Sequence, residues 1–285
     1  MVSVMADVVD DREWSSQIIT HPKPLKRCET EFNKPSLTER IFGACWDGDT
    51  SVVEEELTND PDCHFIARTS DMWAPLHSAS YRGHTEIVQL LLKNEADPNA
   101  KLKGLGEWTA LHLATQKDHF GVCEALLEGG AEIVKDDRGW TPLHGACFVG
   151  DQKLVKLFLD HGADINITHP GVATPLCVAC YKDHRDLIRF LLEQGASQEI
   201  ENGAGAFPLH IAAQEGYQSL AELLMDNGAK ADLKDKEGKT PGQLAKENLS
   251  EFIDSYEERK REKELEIERE KEREREKERE KEREK

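Results

Sequence analysis

Long apolar runs are missing from this chain of 285 residues, and aromatic residues make up only 6% of it. A membrane-spanning helix needs about 20 consecutive apolar residues, and no such run occurs. The N-terminal residues MVSVMADVVDDREW lack a basic flank followed by an apolar core, so we do not interpret them as a secretory signal. These absences predict a protein of the cytoplasm, with the nucleus as a second location.

Positive charge is also scarce. Lys and Arg number 37 against 56 Asp and Glu, which gives a formal net charge of −19. The last 29 residues hold 14 Glu and 13 Lys or Arg, so residues 1–256 carry 24 basic and 42 acidic side chains, a net charge of −18. A surface this acidic repels phosphate groups. We therefore expect no nucleic acid and no membrane as a partner, and a basic protein surface as the best electrostatic match.

Motifs of catalysis and cofactor binding are missing too. The sequence has no phosphate-binding glycine loop, no nucleophile elbow and no carboxylate pair that a motif singles out. The seven cysteines lie in a chain without secretory context, which predicts reduced thiols. Cys177 and Cys180 form a CxxC, but no second CxxC completes a four-ligand zinc site. We expect no metal, no cofactor and no enzymatic activity.

A repeated unit of about 33 residues is what the chain does contain. In residues 136–166, DDRGWTPLHGACFVGDQKLVKLFLDHGADIN, the hydroxyl of Thr141 can cap a helix whose first position suits Pro142. Gly150 and Asp151 then turn the chain into a second amphipathic helix. Gly162 follows where a helix favours a left-handed residue. The pattern predicts a helix–turn–helix followed by a β-turn.

The unit recurs in register through most of the chain. Successive units place Ala74, Thr109, Thr141, Thr174, Phe207 and Thr240 at the same position. This repetition closely resembles the ankyrin repeat, over residues 36–256. The resemblance implies an all-α solenoid of helix–turn–helix units joined by β-hairpin-like loops, with a role in recognition.

Three segments make up the predicted organisation. Residues 1–35 show no sustained period and are expected to form a disordered arm. The repeat domain covers 36–256, with full repeats at about 71–100, 101–135, 136–167, 168–200 and 201–233 and caps at 36–70 and 234–256. Residues 257–285 are almost purely Glu, Lys and Arg, which predicts a charged single helix without the apolar seam of a coiled coil. A fluctuating low-complexity coil is the alternative for this tail.

Two departures from the repeat predict local differences. Glu95 occupies the place that glycine holds in the later units, where a left-handed backbone costs a non-glycine residue about 1 kcal/mol. The segment from Asn99 to Thr109 is two residues longer than the one from Asn166 to Thr174. We therefore expect a longer hairpin there.

Histidine and cysteine recur at repeat positions, which favours structural roles. The first-helix histidines are His77, His112, His144 and His210. Because they are spaced by one repeat, they cannot gather around a metal ion, and the resemblance implies that each braces a neighbouring turn by hydrogen bonds. His84, His119 and His184 come at the start of the second helix, where a polar residue is ordinary. Cys180 aligns with Cys45 and Cys147 at a small-residue position, so we expect the CxxC to be packing.

Aromatic residues, though few, recur at two positions of the unit. One lies just before the Thr-equivalent position, near the hairpin and the concave face by resemblance, and the other lies two residues beyond an inner alanine of the first helix. The candidate partner-binding residues are Trp46, Trp73, Tyr81, Trp108, Trp140, Phe148 and Tyr181. An exposed aromatic stripe is typical of a binding hot spot. The alternative is that each Trp packs on the neighbouring hairpin and only stiffens the array.

The predicted function is that of a non-catalytic, monomeric adaptor or scaffold that binds a partner segment on its concave aromatic face. The acidic residues Asp47, Asp71 and Glu107 flank the stripe and favour a partner that carries Lys or Arg. Two alternatives stay open. The array could be the targeting region of a larger or truncated signalling enzyme, such as a kinase or a ubiquitin ligase, or it could be a structural spacer.

Overall fold

A computed structural model describes residues 37–63, 73–102, 106–246, 249–256, 258–262, 265–266, 269–271 and 273, with the side chains of 37–39 left out. The predicted N-terminal arm, Asp71, the middle of the long hairpin and most of the tail lie outside these residues. Residue contacts divide the chain into two compact units, Met1–Gly205 and Ala206–Lys285. No described helix is both long and apolar enough to span a membrane.

The first unit is built from pairs of short helices. They are α1 (Leu37–Asp47), α2 (Thr50–Asn59), α3 (Pro75–Arg82), α4 (Thr85–Lys93), α5 (Ala110–Gln116), α6 (Phe120–Glu128), α7 (Pro142–Val149), α8 (Gln152–Asp160), α9 (Pro175–Tyr181) and α10 (Arg185–Glu193). The first helices α1, α3, α5, α7 and α9 pack side by side, and each packs against the second helix of its own pair. This stacking confirms the predicted all-α solenoid.

The second unit repeats the same arrangement. It contains α11 (Pro208–Glu215), α12 (Gln218–Asp226), α13 (Pro241–Leu244) and α14 (Leu249–Asp254). Leu249 and Ile253 of α14 are buried, while Phe252 is half-buried. The described tail residues 258–262, 265–266, 269–271 and 273 are helical.

Local sequence explains where the helices begin and turn. Proline occupies the first position of α3, α7, α9, α11 and α13, where the missing N–H costs nothing. Asp151 caps α8, because its carboxylate accepts the backbone N–H groups of Lys153 and Leu154. Gly162 has φ +82°, which confirms the predicted left-handed residue. Gly150, at the predicted turn between the two helices, is left-handed as well, with φ +88°.

Among the described residues, the hairpins are held by isolated backbone pairs and contain no strands. The N–H of Leu102 donates to the carbonyl of Trp108 at 2.8 Å, and that of Asp136 donates to the carbonyl of Trp140 at 2.7 Å. The first of these pairs encloses two more residues than the second, which confirms the longer hairpin. Lys101 and Glu107 form an ion pair of 2.9 Å across it.

Asparagine side chains join successive loops. The Oδ1 of Asn99 accepts the N–H of Glu132 at 2.8 Å, while its Nδ2 donates to the carbonyl of Gly130 at 3.3 Å. Asn166 makes the same two bonds to Ser197 and Gly195. Each amide therefore satisfies backbone groups one repeat further along the array.

Replacing Glu95 by glycine is expected to raise the free energy of unfolding by about 1 kcal/mol, because Glu95 adopts φ +65° and glycine pays no steric penalty there. Urea denaturation followed by circular dichroism measures the change. Glu95→Gln removes the same charge and keeps the Cβ atom, so it should leave stability nearly unchanged. A Glu95→Gly variant that is no more stable than Glu95→Gln would contradict the backbone explanation.

Candidate functional site

The candidate aromatic residues form two sets in the structure. Trp46, Tyr81, Phe148 and Tyr181 lie in the last turns of successive first helices, except that Gln116 takes this position in α5. Trp73, Trp108 and Trp140 precede the helices α3, α5 and α7. In the second unit Ala206 holds this position, and Phe207 takes the next one, directly before α11, where Thr141 stands before α7.

Four of the seven predicted residues come together in one cluster at the N-terminal part of the first unit. Trp46 stacks on Tyr81 with ring centroids 5.9 Å apart, and Trp73 meets both rings edge-on at 6.5 and 5.6 Å. Trp108 belongs to the same cluster, together with Leu113. Trp140, Phe148 and Tyr181 lie outside this cluster.

Burial corrects the prediction of one exposed stripe. Trp73 is only 1% exposed, Trp108 is 2% exposed and Tyr81 is 7% exposed. Trp73 is covered by Trp46 and Tyr81, and the Nε1–H of Trp108 donates to the carboxylate of Asp136 at 3.1 Å. These contacts give the three rings packing roles, and for Trp108 they match the alternative in which a tryptophan packs on the next hairpin.

The other four predicted residues keep part of their surface exposed. Trp46, Trp140, Phe148 and Tyr181 are half-buried. The hydroxyl of Tyr181 accepts a hydrogen bond from Nδ2 of Asn202 at 3.0 Å, and the ring of Trp140 lies 5.3 Å from that of His144. Their neighbours therefore hold these side chains in fixed orientations with one part still accessible.

Cations lie over the first-helix aromatic rings, a feature that the sequence analysis missed. The guanidinium of Arg82 lies 5.2 Å from the ring of Trp46, and Lys117 Nζ lies 4.7 Å from the ring of Tyr81. Lys182 Nζ lies 4.2 Å from the ring of Phe148. Each cation comes from the repeat after the ring, so the pairs are 34 to 36 residues apart. A search for basic residues at the repeat period would have found them.

The first-helix histidines connect adjacent loops, as the resemblance implied. Nδ1 of His144 accepts the backbone N–H of Thr141 at 3.1 Å, so Nε2 carries the proton and donates to the carbonyl of Ala173 at 3.0 Å. His77, His112 and His210 make the corresponding bonds.

The hydroxyl of Thr141 lies 2.9 Å from Nδ1 of His144 and does not cap the backbone as the sequence predicted, because the histidine ring takes its place. Where Cys177 replaces the histidine, the hydroxyl of Thr174 does accept the backbone N–H of residue 177, at 3.2 Å. The hydroxyl cap therefore forms at Thr174 and not at Thr141.

A second set of histidines also joins the repeats. Nε2 of His84, His119 and His184 lies 3.1–3.2 Å from the carbonyls of Trp46, Tyr81 and Phe148. Each ring also lies on a left-handed glycine of the preceding repeat, so that a Cβ on Gly83 would come within 2.8 Å of the ring of His119. These histidines, predicted to be ordinary polar residues, hold the helix ends that carry the aromatic rings.

Acid is expected to weaken the fold through the buried histidines. Burial lowers the pKa of His112 to about 4 and that of His144 to about 3. In the unfolded chain both pKa values are near 6.5, so the unfolded state binds more protons below that pH. The contribution of the two neutral histidines to the free energy of unfolding is present in full above pH 6.5. It falls by about 1.4 kcal/mol per pH unit for each histidine as the pH drops towards 4.

Urea denaturation from pH 7.5 to 4.5 tests this expectation. The variant His112→Gln, His144→Gln should lose stability less steeply than the wild type, although it is less stable at pH 7.5. Identical slopes would contradict the assignment of the acid sensitivity to these two side chains.

The cysteines occupy packing positions. Cys45, Cys63, Cys123, Cys147, Cys177 and Cys180 are buried free thiols. Burial raises the pKa of Cys177 to about 11 and that of Cys180 well above its usual value, which suppresses the reactive thiolate. Within the described residues, no three His, Cys, Asp or Glu side chains are grouped so that they could hold a metal ion.

Comparisons with known proteins agree with this architecture. The family model described as "Ankyrin repeats (3 copies)" matches residues 41–137, 102–169, 134–202 and 168–235. The human ASB11 ankyrin repeat domain is 25% identical, with a TM-score of 0.66 over 78% of this chain and 96% of that one. The ankyrin repeat domain of Bcl-3, a member of the IkappaB protein family, is 26% identical, with a TM-score of 0.65 over 75% and 96%.

A curated relative matches over a short segment. Phytochrome-interacting ankyrin-repeat protein 1 of Arabidopsis thaliana is 56% identical over 34 residues, which is 12% of this chain and 19% of that protein. The match thus spans about a fifth of the relative's length, about one repeat.

Proposed function

This chain belongs to the ankyrin-repeat family, whose repeats are protein–protein interaction modules, and we propose that it is a non-catalytic adaptor. It binds a segment of a protein partner along the concave face that the first helices provide. The half-buried aromatic residues Trp46, Trp140, Phe148 and Tyr181 supply the main contacts. It acts as a monomer in the cytoplasm, with the nucleus as a second location.

The observation that carries this proposal is that these four side chains are held in place and yet partly exposed. They recur at repeat positions and are held by neighbouring side chains, yet they keep accessible surface. A rigid aromatic side chain loses little conformational entropy on binding, which is why such residues dominate interface energies. Exposed aromatic side chains that no neighbour holds in place would not predict a binding site in the same way.

The buried members of the predicted stripe have a supporting role in this proposal. Trp73 and Tyr81 fix the orientation of Trp46 through ring contacts, and Trp108 fixes the neighbouring hairpin through Asp136. Their truncation would therefore disturb binding indirectly, by loosening the array. The partner-binding set is thus reduced from seven residues to four.

Affinity capture from cell extract with the full chain tests the proposal. We expect proteins captured by the wild type to be lost by the variant Trp46→Ala, Phe148→Ala, Tyr181→Ala. Gln116→Ala changes a polar residue at the same position of α5, so it is the matched control and should retain the captured proteins. Thermal unfolding of each variant establishes that it is folded.

The same experiment distinguishes the alternative of a structural spacer. If the triple variant is folded and captures the same proteins as the wild type, the first-helix aromatics are not the binding site. If neither chain captures any protein above the level of an unrelated control, the adaptor proposal is wrong and the spacer is favoured.

A further inference from the structure

The exposed apolar side chains of the repeat array lie at one edge. Among the described residues, the large hydrophobic side chains with the most exposure are Phe120 at 36% and Val149 at 37%, together with Leu265 in the tail. Phe120 begins α6 and Val149 ends α7. Both therefore lie where a first helix turns into its second helix, which is also where Trp46 lies at the end of α1.

Two exposed cations occupy the same edge. Arg82 is the last residue of α3, and Lys117 follows the last residue of α5. Neither forms an ion pair with any described residue, although acidic residues far outnumber basic ones in the chain. Each is instead held over an aromatic ring of the preceding repeat, at 5.2 and 4.7 Å.

Contacts with the rings preorganise these two cations for binding an anion. A cation held over a ring has already lost part of the side-chain freedom that an ion pair would cost it. The Nε of Arg82 also donates to the carbonyl of Trp46 at 3.2 Å, which fixes the guanidinium further. Val149 aligns with Arg82 and Lys117 in the next repeat, so the row continues with an apolar side chain.

We propose that Trp46, Arg82, Lys117, Phe120 and Val149 form a helix-end strip that binds an acidic amphipathic segment of the protein partner. Carboxylates of the segment pair with Arg82 and Lys117, and its apolar residues pack on Trp46, Phe120 and Val149. This inference rests on the proposed adaptor function and defines the chemistry of the partner.

The charges near the strip, and not the net charge of the whole chain, determine that the bound segment is acidic. At physiological ionic strength a charge is screened beyond about 8 Å, so the groups that touch the segment determine its sign. Asp47 is exposed beside Trp46, and Asp118, which follows Lys117, is exposed as well. Because these carboxylates repel acidic residues of the segment, the segment is acidic only where it crosses Arg82 and Lys117.

Selection from a library of random 12-residue peptides, displayed on phage and panned on the immobilised full chain, tests the inference. We expect the wild type to enrich peptides in which Asp or Glu alternates with apolar residues. Synthetic copies of these peptides should bind the variant Arg82→Glu, Lys117→Glu at least tenfold more weakly, with a smaller loss for Arg82→Gln, Lys117→Gln.

The matched control reverses two exposed lysines on another surface. Lys153→Glu, Lys156→Glu in α8 makes the same change in net charge, and it should bind the peptides as the wild type does. Phe120→Ser, Val149→Ser should weaken binding at unchanged charge.

The outcomes separate this inference from the adaptor function. Selected peptides that are basic, or that bind the Arg82→Glu, Lys117→Glu variant as well as the wild type, overturn the acidic chemistry of the strip. If those peptides nevertheless bind the variant Trp46→Ala more weakly than the wild type, the adaptor function stands and only the acidic chemistry of the strip is overturned. Equal losses in the α8 control would mean a bulk charge effect and also overturn the inference. If no peptide is enriched, the inference about the strip fails, while the affinity capture with the full chain decides the adaptor function.

Discussion

Replacing Trp108 by alanine is expected to lower the free energy of unfolding by about 3–5 kcal/mol. The side chain is only 2% exposed and packs in the cluster that contains Trp73 and Leu113. Its removal also takes one donor from the buried carboxylate of Asp136. Small domains are stable by about 5–15 kcal/mol, so this one change removes a large part of the total. Urea denaturation followed by circular dichroism measures it.

Two controls separate the causes of the Trp108 effect. Trp108→Phe keeps most of the buried volume but loses the hydrogen bond to Asp136, so it should cost about 1–2 kcal/mol. Trp140→Ala removes the same side chain from the following repeat, where it is half-buried, and should cost less than half as much as Trp108→Ala. Equal costs for the two alanine variants would contradict the packing role assigned to Trp108.

Replacing Gly203 by alanine is expected to cost about 3 kcal/mol, because the new Cβ atom would collide with the backbone. It would come within 2.3 Å of the carbonyl carbon of Gly171 and 2.4 Å of its Cα atom. A backbone cannot rotate away as a flexible side chain does, so the two loops must separate. That movement would also disturb Asn202, whose Nδ2 donates to the hydroxyl of Tyr181.

Gly171 provides the matched control for this prediction. A Cβ atom on Gly171 would meet nothing within 4 Å, although the residue has φ +83°. Gly171→Ala should therefore cost only the left-handed backbone strain, about 1 kcal/mol. Thermal or urea unfolding compares the two variants, and equal losses would show that the close approach of the two loops does not limit stability.

The fold could be predicted from the sequence because its signals are local. A proline at the first helical position, a left-handed glycine such as Gly162 and a capping residue such as Asp151 each act within a few residues, and they recur in register. The longer hairpin at Leu102 was predictable for the same reason, since an insertion of two residues is visible directly in the spacing.

The candidate site was less predictable, because the surroundings of each ring come from two or more repeats. The burial of Trp108 depends on Asp136, which lies 28 residues further along the chain. Likewise, the exposure of Trp46 depends on Tyr81 and Arg82. Periodicity shows which residues are equivalent, but not which of the equivalent rings a neighbour covers.

Pairs at the repeat distance were the signal that the sequence analysis overlooked. Gly83 and His119 are one repeat apart, as are Gly150 and His184, and in each pair the glycine leaves room for the ring. The cations over the aromatic rings follow the same spacing. Both sets could have been found by comparing neighbouring repeats for complementary residues in addition to identical ones.

The affinity of a captured partner for two variants tests the adaptor function most directly. Isothermal titration calorimetry would give the Kd for the wild-type chain, for Trp46→Ala and for Gln116→Ala, each checked for folding. A rigid aromatic anchor contributes about 2 kcal/mol or more, so we expect Trp46→Ala to raise Kd about 30-fold and Gln116→Ala to leave it unchanged. Equal Kd values for all three folded chains would contradict a binding site on the first-helix aromatic residues.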